Sequence, residues 1–211
     1  MRGLILKDLY NIGHNAKMMV MMLAAMAVLL VPTNGVISFM GICVIACSMM
    51  LITTISFDDL SKWNRYALIM PVSRRDVVKS KYMVLIIFSL VGCGVGIVIC
   101  SIGSIILKDF NLADILGASL GCLGIAFVFG SIILPLLYKF GAEKARMLMI
   151  VCFLIPTAVV YFAAYFYKNT GLPMPGETSI IIAIVSLPVL CILFMYISYR
   201  ISLKIFQNQE M

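Results

Sequence analysis

The residues best suited to bind another molecule lie in one polar stretch, residues 57–81. Asp58 or Asp59 can cap a helix by accepting hydrogen bonds from its first backbone N–H groups. Apolar residues then recur at helical spacing, Trp63 among them, and Pro71 ends the run. The pattern predicts a short amphipathic helix, and an exposed tryptophan beside arginine has the composition of an interaction hot spot.

Two functions are open for this helix. It can dock a soluble subunit, or it can lie on anionic lipid with Trp63 and Tyr66 at the level of the headgroups. Ser73 and Asp76 form a capping box, so a second helix is predicted to start at Arg74. The basic residues assigned to lipid headgroups are Arg74, Arg75, Lys79, Lys81 and Lys7.

The sequence offers few residues for metal binding, nucleotide binding or catalysis. His14 is the only histidine, and no P-loop motif (GxxxxGK followed by Ser or Thr) occurs to hold nucleotide phosphates. The seven cysteines lie in apolar runs without a CxxC pair, which is typical of small buried hydrophobes. We therefore expect no metal site, no cofactor and no enzyme activity in this chain. Any ATP would be hydrolysed by another polypeptide.

The composition places the chain in a membrane. Hydrophobic residues make up 63% and charged residues 12% of 211 residues, and the mean hydropathy is +1.11. No soluble domain can bury so much apolar surface. The sequence predicts a single all-α integral membrane domain covering residues 1–211.

Six apolar stretches approach or exceed the roughly 20 residues that cross a hydrocarbon core. The first is short, and because a Pro-Thr-Asn-Gly turn follows it, a re-entrant hairpin is a competing interpretation. An interfacial amphipathic helix is predicted at 3–16 and a cytoplasmic segment at 57–81. The six predicted transmembrane spans are residues 17–33, 36–56, 82–107, 114–138, 146–167 and 179–200.

The basic residues give the orientation. Under a six-span topology, fourteen of the sixteen Lys and Arg residues fall on one side of the membrane, and only Lys108 and Lys168 fall on the other. Basic residues beside spans are retained in the cytoplasm, so both termini are predicted to be cytoplasmic. The net charge of +7 is thereby explained without a nucleic-acid partner.

Glycines in the third and fourth spans predict close helix packing. Gly92 with Gly96, and Gly117 with Gly121, have the GxxxG spacing that lets helix backbones approach each other. The contact can lie within one chain or between two copies. No span carries an ionisable residue in its middle, which counts against a proton-coupled carrier.

Two segments carry a resemblance to a known family. They are residues 3–10, GLILKDLY, and residues 57–82, which contain FDDLSKWNRY and MPVSRRDVVKSKY. Both are similar to the ABC-2 type permease family, and most of all to the small permeases of bacterial peptide exporters, including those that expel phenol-soluble modulin toxins.

The resemblance implies a multi-pass protein of the bacterial plasma membrane. Its partners would be a second permease, identical or related, and two copies of a separate ABC ATPase that binds ATP and Mg. Residues 3–16 would be the elbow helix and residues 57–81 the coupling segment. The residues implied in ATPase docking are Asp58, Asp59, Leu60, Trp63, Arg65, Tyr66, Met70 and Pro71.

Three functions remain open at this point. The leading hypothesis is the membrane subunit of an ATP-driven exporter of amphipathic or antimicrobial peptides. The second is an immunity or resistance permease that clears a toxic peptide or lipid-like drug. The third is a scaffold or carrier without an ATPase. Nearly every position in the spans is apolar, so the sequence identifies no substrate residues.

Overall fold

The computed structural model describes residues 2–63, 66, 73–106, 112–170 and 177–208, and the elements found there are all α-helical. The prediction of an all-α chain is confirmed for this part. The five helices are α1 (Arg2–Asn34), α2 (Val36–Leu60), α3 (Arg74–Ile106), α4 (Leu112–Thr170) and α5 (Glu177–Asn208).

Several of these helices are long and apolar enough to cross a membrane. Within the described residues there are four, Ser38–Leu60, Arg74–Ile105, Asp114–Gly141 and Pro188–Asn208. A fifth is added if the two bent halves of α1 count as one span. The count of six spans and the cytoplasmic position of the termini stay predictions.

α1 is bent between its amphipathic first half and its apolar second half. Its halves, Gly3–Gly13 and Lys17–Leu29, meet at 59°, and the predicted boundary between elbow helix and first span falls at this bend. Ile12 in the first half is buried in the same apolar cluster as Ile55 and Val78. We call Gly3–Gly13 the N-terminal segment. It therefore packs on the helix bundle through one face.

α2 runs further than the sequence suggested. Asp58 and Asp59, either of which was predicted to cap a new helix, lie in its last turn. The carboxylate of Asp58 pairs with lysines of α1 and α3. α2 ends at Leu60, and the backbone N–H of the following residue, Ser61, donates to the Phe57 carbonyl at 3.0 Å.

α3 begins at the residue that the capping box indicates. The backbone N–H of Asp76 donates to Ser73 Oγ at 3.2 Å, which satisfies one of the free N–H groups at the helix start. The predicted helix start at Arg74 is confirmed.

α4 is interrupted at Gly141, which has φ 76° and ψ 168°. This is a conformation that a side chain disfavours strongly and glycine adopts readily. The interruption lies between the predicted fourth and fifth spans. The backbone is helical again from there to Thr170.

α2 and α3 approach closely at Gly92 and Gly96, the first of the two predicted glycine pairs. A Cβ atom added at Gly92 would lie 2.7 Å from Cys47 Cβ and 3.0 Å from the Cys43 carbonyl oxygen, and at Gly96 it would lie 3.2 Å from Met40 Cγ. The second pair, Gly117 and Gly121, has no such neighbour within 4 Å in the described part of the chain.

We expect Gly92→Ala to destabilise the protein by about 1–3 kcal/mol, because the added methyl group collides with Cys47 and with backbone that cannot move aside. Gly94→Ala is the matched control, since a Cβ there meets nothing within 4 Å. The thermal unfolding midpoints of the two detergent-purified variants test this. Equal midpoints would show that the α2–α3 approach is not tight at Gly92.

Candidate functional site

Four charged residues from three helices meet at one end of the bundle. Lys81 Nζ of α3 lies 2.8 Å from Asp8 Oδ2 of α1 and 2.5 Å from Asp58 Oδ2 of α2. Lys7 Nζ also contacts Asp58 and lies 3.5 Å from Asp8 Oδ1. We call these four residues the ion cluster. Its two positive and two negative charges sum to zero.

Three members of the ion cluster are almost completely buried. The side chains of Asp8, Asp58 and Lys81 are 1%, 5% and 5% exposed, whereas that of Lys7 is 25% exposed. Buried charges are costly unless each has a partner of opposite sign. The mutual pairing meets this need and fixes the relative positions of α1, α2 and α3.

The local sequence explains how these charges come together. Asp8 shares a face of the N-terminal segment with Ile5 and Ile12, which both pack on the core, because residues three and four apart lie on the same side of a helix. Burying that face carries the carboxylate inward. Lys81 follows the buried Val77 and Val78 on α3 and points to the same interior.

Two lysines assigned to lipid headgroups therefore have different surroundings. Lys81 points into the protein and pairs with two carboxylates, and Lys7 belongs to the same ion cluster. A lysine beside a span usually extends its ammonium group to the membrane surface. Here the buried aspartates are the nearer partners. Arg75 and Lys79 are exposed, as a headgroup contact requires.

Trp63 also turns inward, unlike the exposed tryptophan predicted from the sequence. Lys7 Nζ lies 4.3 Å from the centroid of its ring, a cation–π contact, and the ring packs on the core cluster. Lys62, just before it, has a left-handed backbone with φ 51°. That conformation ends the helical path of α2 and redirects the chain.

Other residues of the predicted docking set face outward. Leu60 is 79% and Tyr66 60% exposed, and Asp59 is exposed as well. We call Asp59, Leu60 and Tyr66 the exposed docking residues. Arg65, Met70 and Pro71 lie outside the described residues. The predicted set is thus divided between an inward pair, Asp58 with Trp63, and these outward residues.

Arg74 holds the end of the last helix. Its Nη1 donates to the carbonyl oxygens of Gln207 at 2.7 Å and Phe206 at 3.3 Å. The last carbonyls of a helix have no partner within the helix, and a basic side chain satisfies them and interacts favourably with the helix dipole. Arg74 thereby joins the start of α3 to the end of α5, a role its assignment to lipid did not include.

A hydroxyl network continues this link. The Tyr82 hydroxyl is hydrogen-bonded to Ser198 Oγ at 2.6 Å and to Ser202 Oγ at 2.9 Å. Ser198 Oγ also donates to the carbonyl of Ser131 on α4. These buried bonds connect α3, α4 and α5. Tyr82 directly follows Lys81 of the ion cluster in the α3 sequence.

We expect Tyr82→Phe to lower stability by about 0.6 kcal/mol and by no more than roughly 2 kcal/mol, the range of hydrogen bonds between helices in membranes. The reason for the small effect is that Ser198 keeps its bond to Ser131. The readout is the thermal midpoint in detergent, with Tyr196→Phe as control because Tyr196 is exposed on α5. A larger loss for Tyr196→Phe would contradict the assignment.

A small cavity lies against the ion cluster. Its volume is about 90 Å³, which is room for a few water molecules and far less than the roughly 300–1,000 Å³ of a ligand pocket. It adjoins the interruption of α4. The lining residues are Ile55, Asp58, Asp59, Lys81, Leu137, Tyr138 and Gly141.

Metal chemistry finds no support in the described part of the chain, where no group of three or more His, Cys, Asp or Glu residues is placed to hold an ion. None of the six cysteines described there forms a disulfide bond, and five of them are buried. This agrees with the prediction that they act as small hydrophobes.

Sequence reasoning missed the ion cluster itself. Asp8 and Lys81 are 73 residues apart, and no local pattern links them. One signal was available: Asp8 is an acidic residue on the apolar face of an amphipathic helix, and such a residue needs a buried cation.

Comparison with known proteins adds one finding. A family described as ABC-2 family transporter protein matches residues 3–207, nearly the whole chain. No curated protein and no solved structure shows significant similarity to it.

Proposed function

The chain belongs to the ABC-2 transporter family, and we propose that it is the membrane-spanning permease subunit of an ATP-driven exporter. The observation that carries this proposal is the family match over residues 3–207. The several long apolar helices agree with a multi-pass membrane protein.

The energy source would be a partner. Permeases of this family generally work with ATPase subunits, and the sequence has no P-loop motif of its own. We propose two ATPase copies beneath a pair of permeases, with ATP and Mg bound by the ATPases. This chain would then carry no enzyme activity.

The exposed docking residues are the proposed contact with the ATPase. Leu60 is apolar and 79% exposed at the end of a membrane-capable helix. The proposal places it beyond the lipid, where a large apolar side chain gains free energy from burial against a protein partner. Asp58 and Trp63 would position this surface from within, through the ion cluster. Movement of the ATPase pair would reach α3 as a rigid-body displacement.

The proposed substrate is an amphipathic or antimicrobial peptide, on the resemblance of residues 3–10 and 57–82 to permeases of peptide exporters. Export of phenol-soluble modulin-like peptides is the narrowest form of this proposal. An immunity or resistance permease that removes a toxic peptide or drug would share the same architecture, and substrate assays separate the two.

Co-purification tests the permease assignment. The chain is expressed with an ATPase encoded beside it and purified in mild detergent, then reconstituted in vesicles with a fluorescent amphipathic peptide. We expect a stable complex and ATP-dependent movement of the peptide. A chain that retains no ATPase under these conditions would favour the scaffold or carrier without an energy source.

Orientation is tested by labelling single cysteines in intact cells. We expect Leu172→Cys to react with a membrane-impermeant thiol reagent from outside and Ser61→Cys to react only after permeabilisation, because basic residues keep the 57–81 segment in the cytoplasm. The native cysteines give little background, since those described are buried or half-buried. Labelling of Ser61→Cys in intact cells would reverse the topology.

A further inference from the structure

Lys7 takes part in two kinds of contact at once. Its ammonium group pairs with Asp58 and lies 3.5 Å from Asp8 Oδ1. The same group lies 4.3 Å from the centroid of the Trp63 ring. Lys7 therefore links the N-terminal segment to Asp58 in the last turn of α2 and to Trp63, which follows that helix.

The two lysines of the ion cluster are not equivalent. Lys81 is 5% exposed and lies within 2.8 Å of an oxygen of each aspartate, so both carboxylates keep a partner if Lys7 leaves. Lys7 is 25% exposed and can extend its ammonium group to water at little desolvation cost. Lys81 is thus the fixed cation of the ion cluster and Lys7 the releasable one.

Trp63 is held in place without directional bonding. Its indole N–H is buried and has no hydrogen-bond partner among the described residues. Packing on the core cluster and the contact with Lys7 hold the ring. A buried N–H without a partner is unfavourable, so this position of the ring is one that an external contact can displace.

We propose that Lys7 is a latch that couples the position of Trp63 to the packing of the N-terminal segment on the bundle. While Trp63 lies beside Lys7, the segment is held through Lys7 and Asp8. When Trp63 moves away, Lys7 loses one anchor and leaves the ion cluster, and the segment loosens. Lys81 meanwhile keeps α2 and α3 joined and keeps its pair with Asp8, so the segment loosens without detaching from the bundle. The latch belongs to the isolated chain and does not depend on the proposed export function.

Tryptophan fluorescence tests the contact directly, because Trp63 is the only tryptophan in the chain. The full-length protein in mild detergent is titrated with acrylamide, a neutral quencher whose local concentration does not depend on the charge at residue 7. We expect Lys7→Met to change the emission maximum and to raise the quenching constant about twofold, since the ring loses its cation and opens to water. Lys7→Arg keeps a cation and is expected to restore wild-type quenching.

Lys79→Met is the matched control for fluorescence, because Lys79 is an exposed lysine on α3 outside the ion cluster. It should leave emission and quenching unchanged. If Lys7→Met and Lys79→Met gave the same quenching constant as the wild type, Lys7 would not hold Trp63 and the latch would be excluded.

Hydrogen exchange of the backbone amides tests the coupling. We expect Trp63→Leu to speed exchange in the N-terminal segment about tenfold, as local opening becomes easier, and to leave exchange in residues 82–100 of α3 unchanged. Trp63→Phe keeps a weaker aromatic face and should give an intermediate rate. Tyr66→Leu, at a nearby exposed aromatic residue, should have no effect.

Wild-type exchange of the N-terminal segment in Trp63→Leu would overturn the proposal, and so would equal acceleration throughout the bundle, which would indicate general unfolding. Neither measurement needs an ATPase or a substrate. A failed latch and a failed export function are therefore distinguishable.

Discussion

Lys81→Met is expected to be the most damaging single substitution at the ion cluster, with a loss of about 3–5 kcal/mol of stability, the cost of removing one partner from a buried charge pair. Asp8 and Asp58 would remain buried with only Lys7, whose side chain is 25% exposed, between them. Two like charges would then face each other away from water. We expect poor yield of monodisperse protein and a much lower thermal midpoint in detergent.

Two further variants test whether the loss of stability in Lys81→Met comes from the unpaired carboxylate. Lys79→Met removes an exposed lysine two residues earlier and should change the midpoint little. Combining Lys81→Met with Asp58→Asn removes one charge of each sign and should recover part of the loss, because the cost arises from the unpaired carboxylate. If the double variant were less stable than Lys81→Met, the ion cluster would not be the source of the effect.

Leu60→Asp is expected to weaken association with the proposed ATPase partner by at least about tenfold, because the proposed interface would then bury an unpaired charge in place of an apolar side chain. Leu60 is highly exposed in the isolated chain, so the variant should fold normally. Pull-down of the ATPase from detergent and its stimulated ATP hydrolysis give the measurement.

Lys204→Glu is the control for Leu60→Asp. It introduces a negative charge at an exposed residue of α5, outside the exposed docking residues. Its ATPase association should equal that of the wild type. Normal binding by Leu60→Asp would place the ATPase contact elsewhere on the chain and leave the permease assignment standing.

Much of the helical architecture could be predicted because a single physical factor dominates it. A chain with 63% hydrophobic residues has to satisfy its backbone polar groups internally, and helices do so segment by segment. Local signals then place some ends well. Ser73 caps α3 with its own hydroxyl, and this needs no knowledge of distant residues.

The direction of individual side chains could not be predicted in the same way. Lys81 was assigned to lipid because a lysine next to a span usually reaches the membrane surface. Lys81 instead points inward because it pairs with Asp8, which comes close to it only when the N-terminal segment packs on the bundle. Trp63 turns inward for a related reason, since its partner Lys7 comes from the same distant segment.

The docking set shows where composition misleads. Asp58 and Leu60 are two residues apart and were assigned one role, yet one is buried in the ion cluster and the other is almost fully exposed. Neighbours two apart on a helix lie on different faces, so a docking surface read as a continuous run of sequence mixes inner and outer residues.

The ion cluster also has a consequence for synthesis of the chain. Asp8 and Lys7 are translated before their fixed partner Lys81, which follows Asp8 by 73 residues. Because domains assemble from the N-terminus as they are translated, the pair between Asp8 and Lys81 forms only after α3 has been made. A nascent chain of residues 1–106 contains the whole ion cluster, whereas one that stops at residue 63 lacks its fixed cation. Crosslinking of the N-terminal segment to α2 should therefore increase once Lys81 has left the exit tunnel.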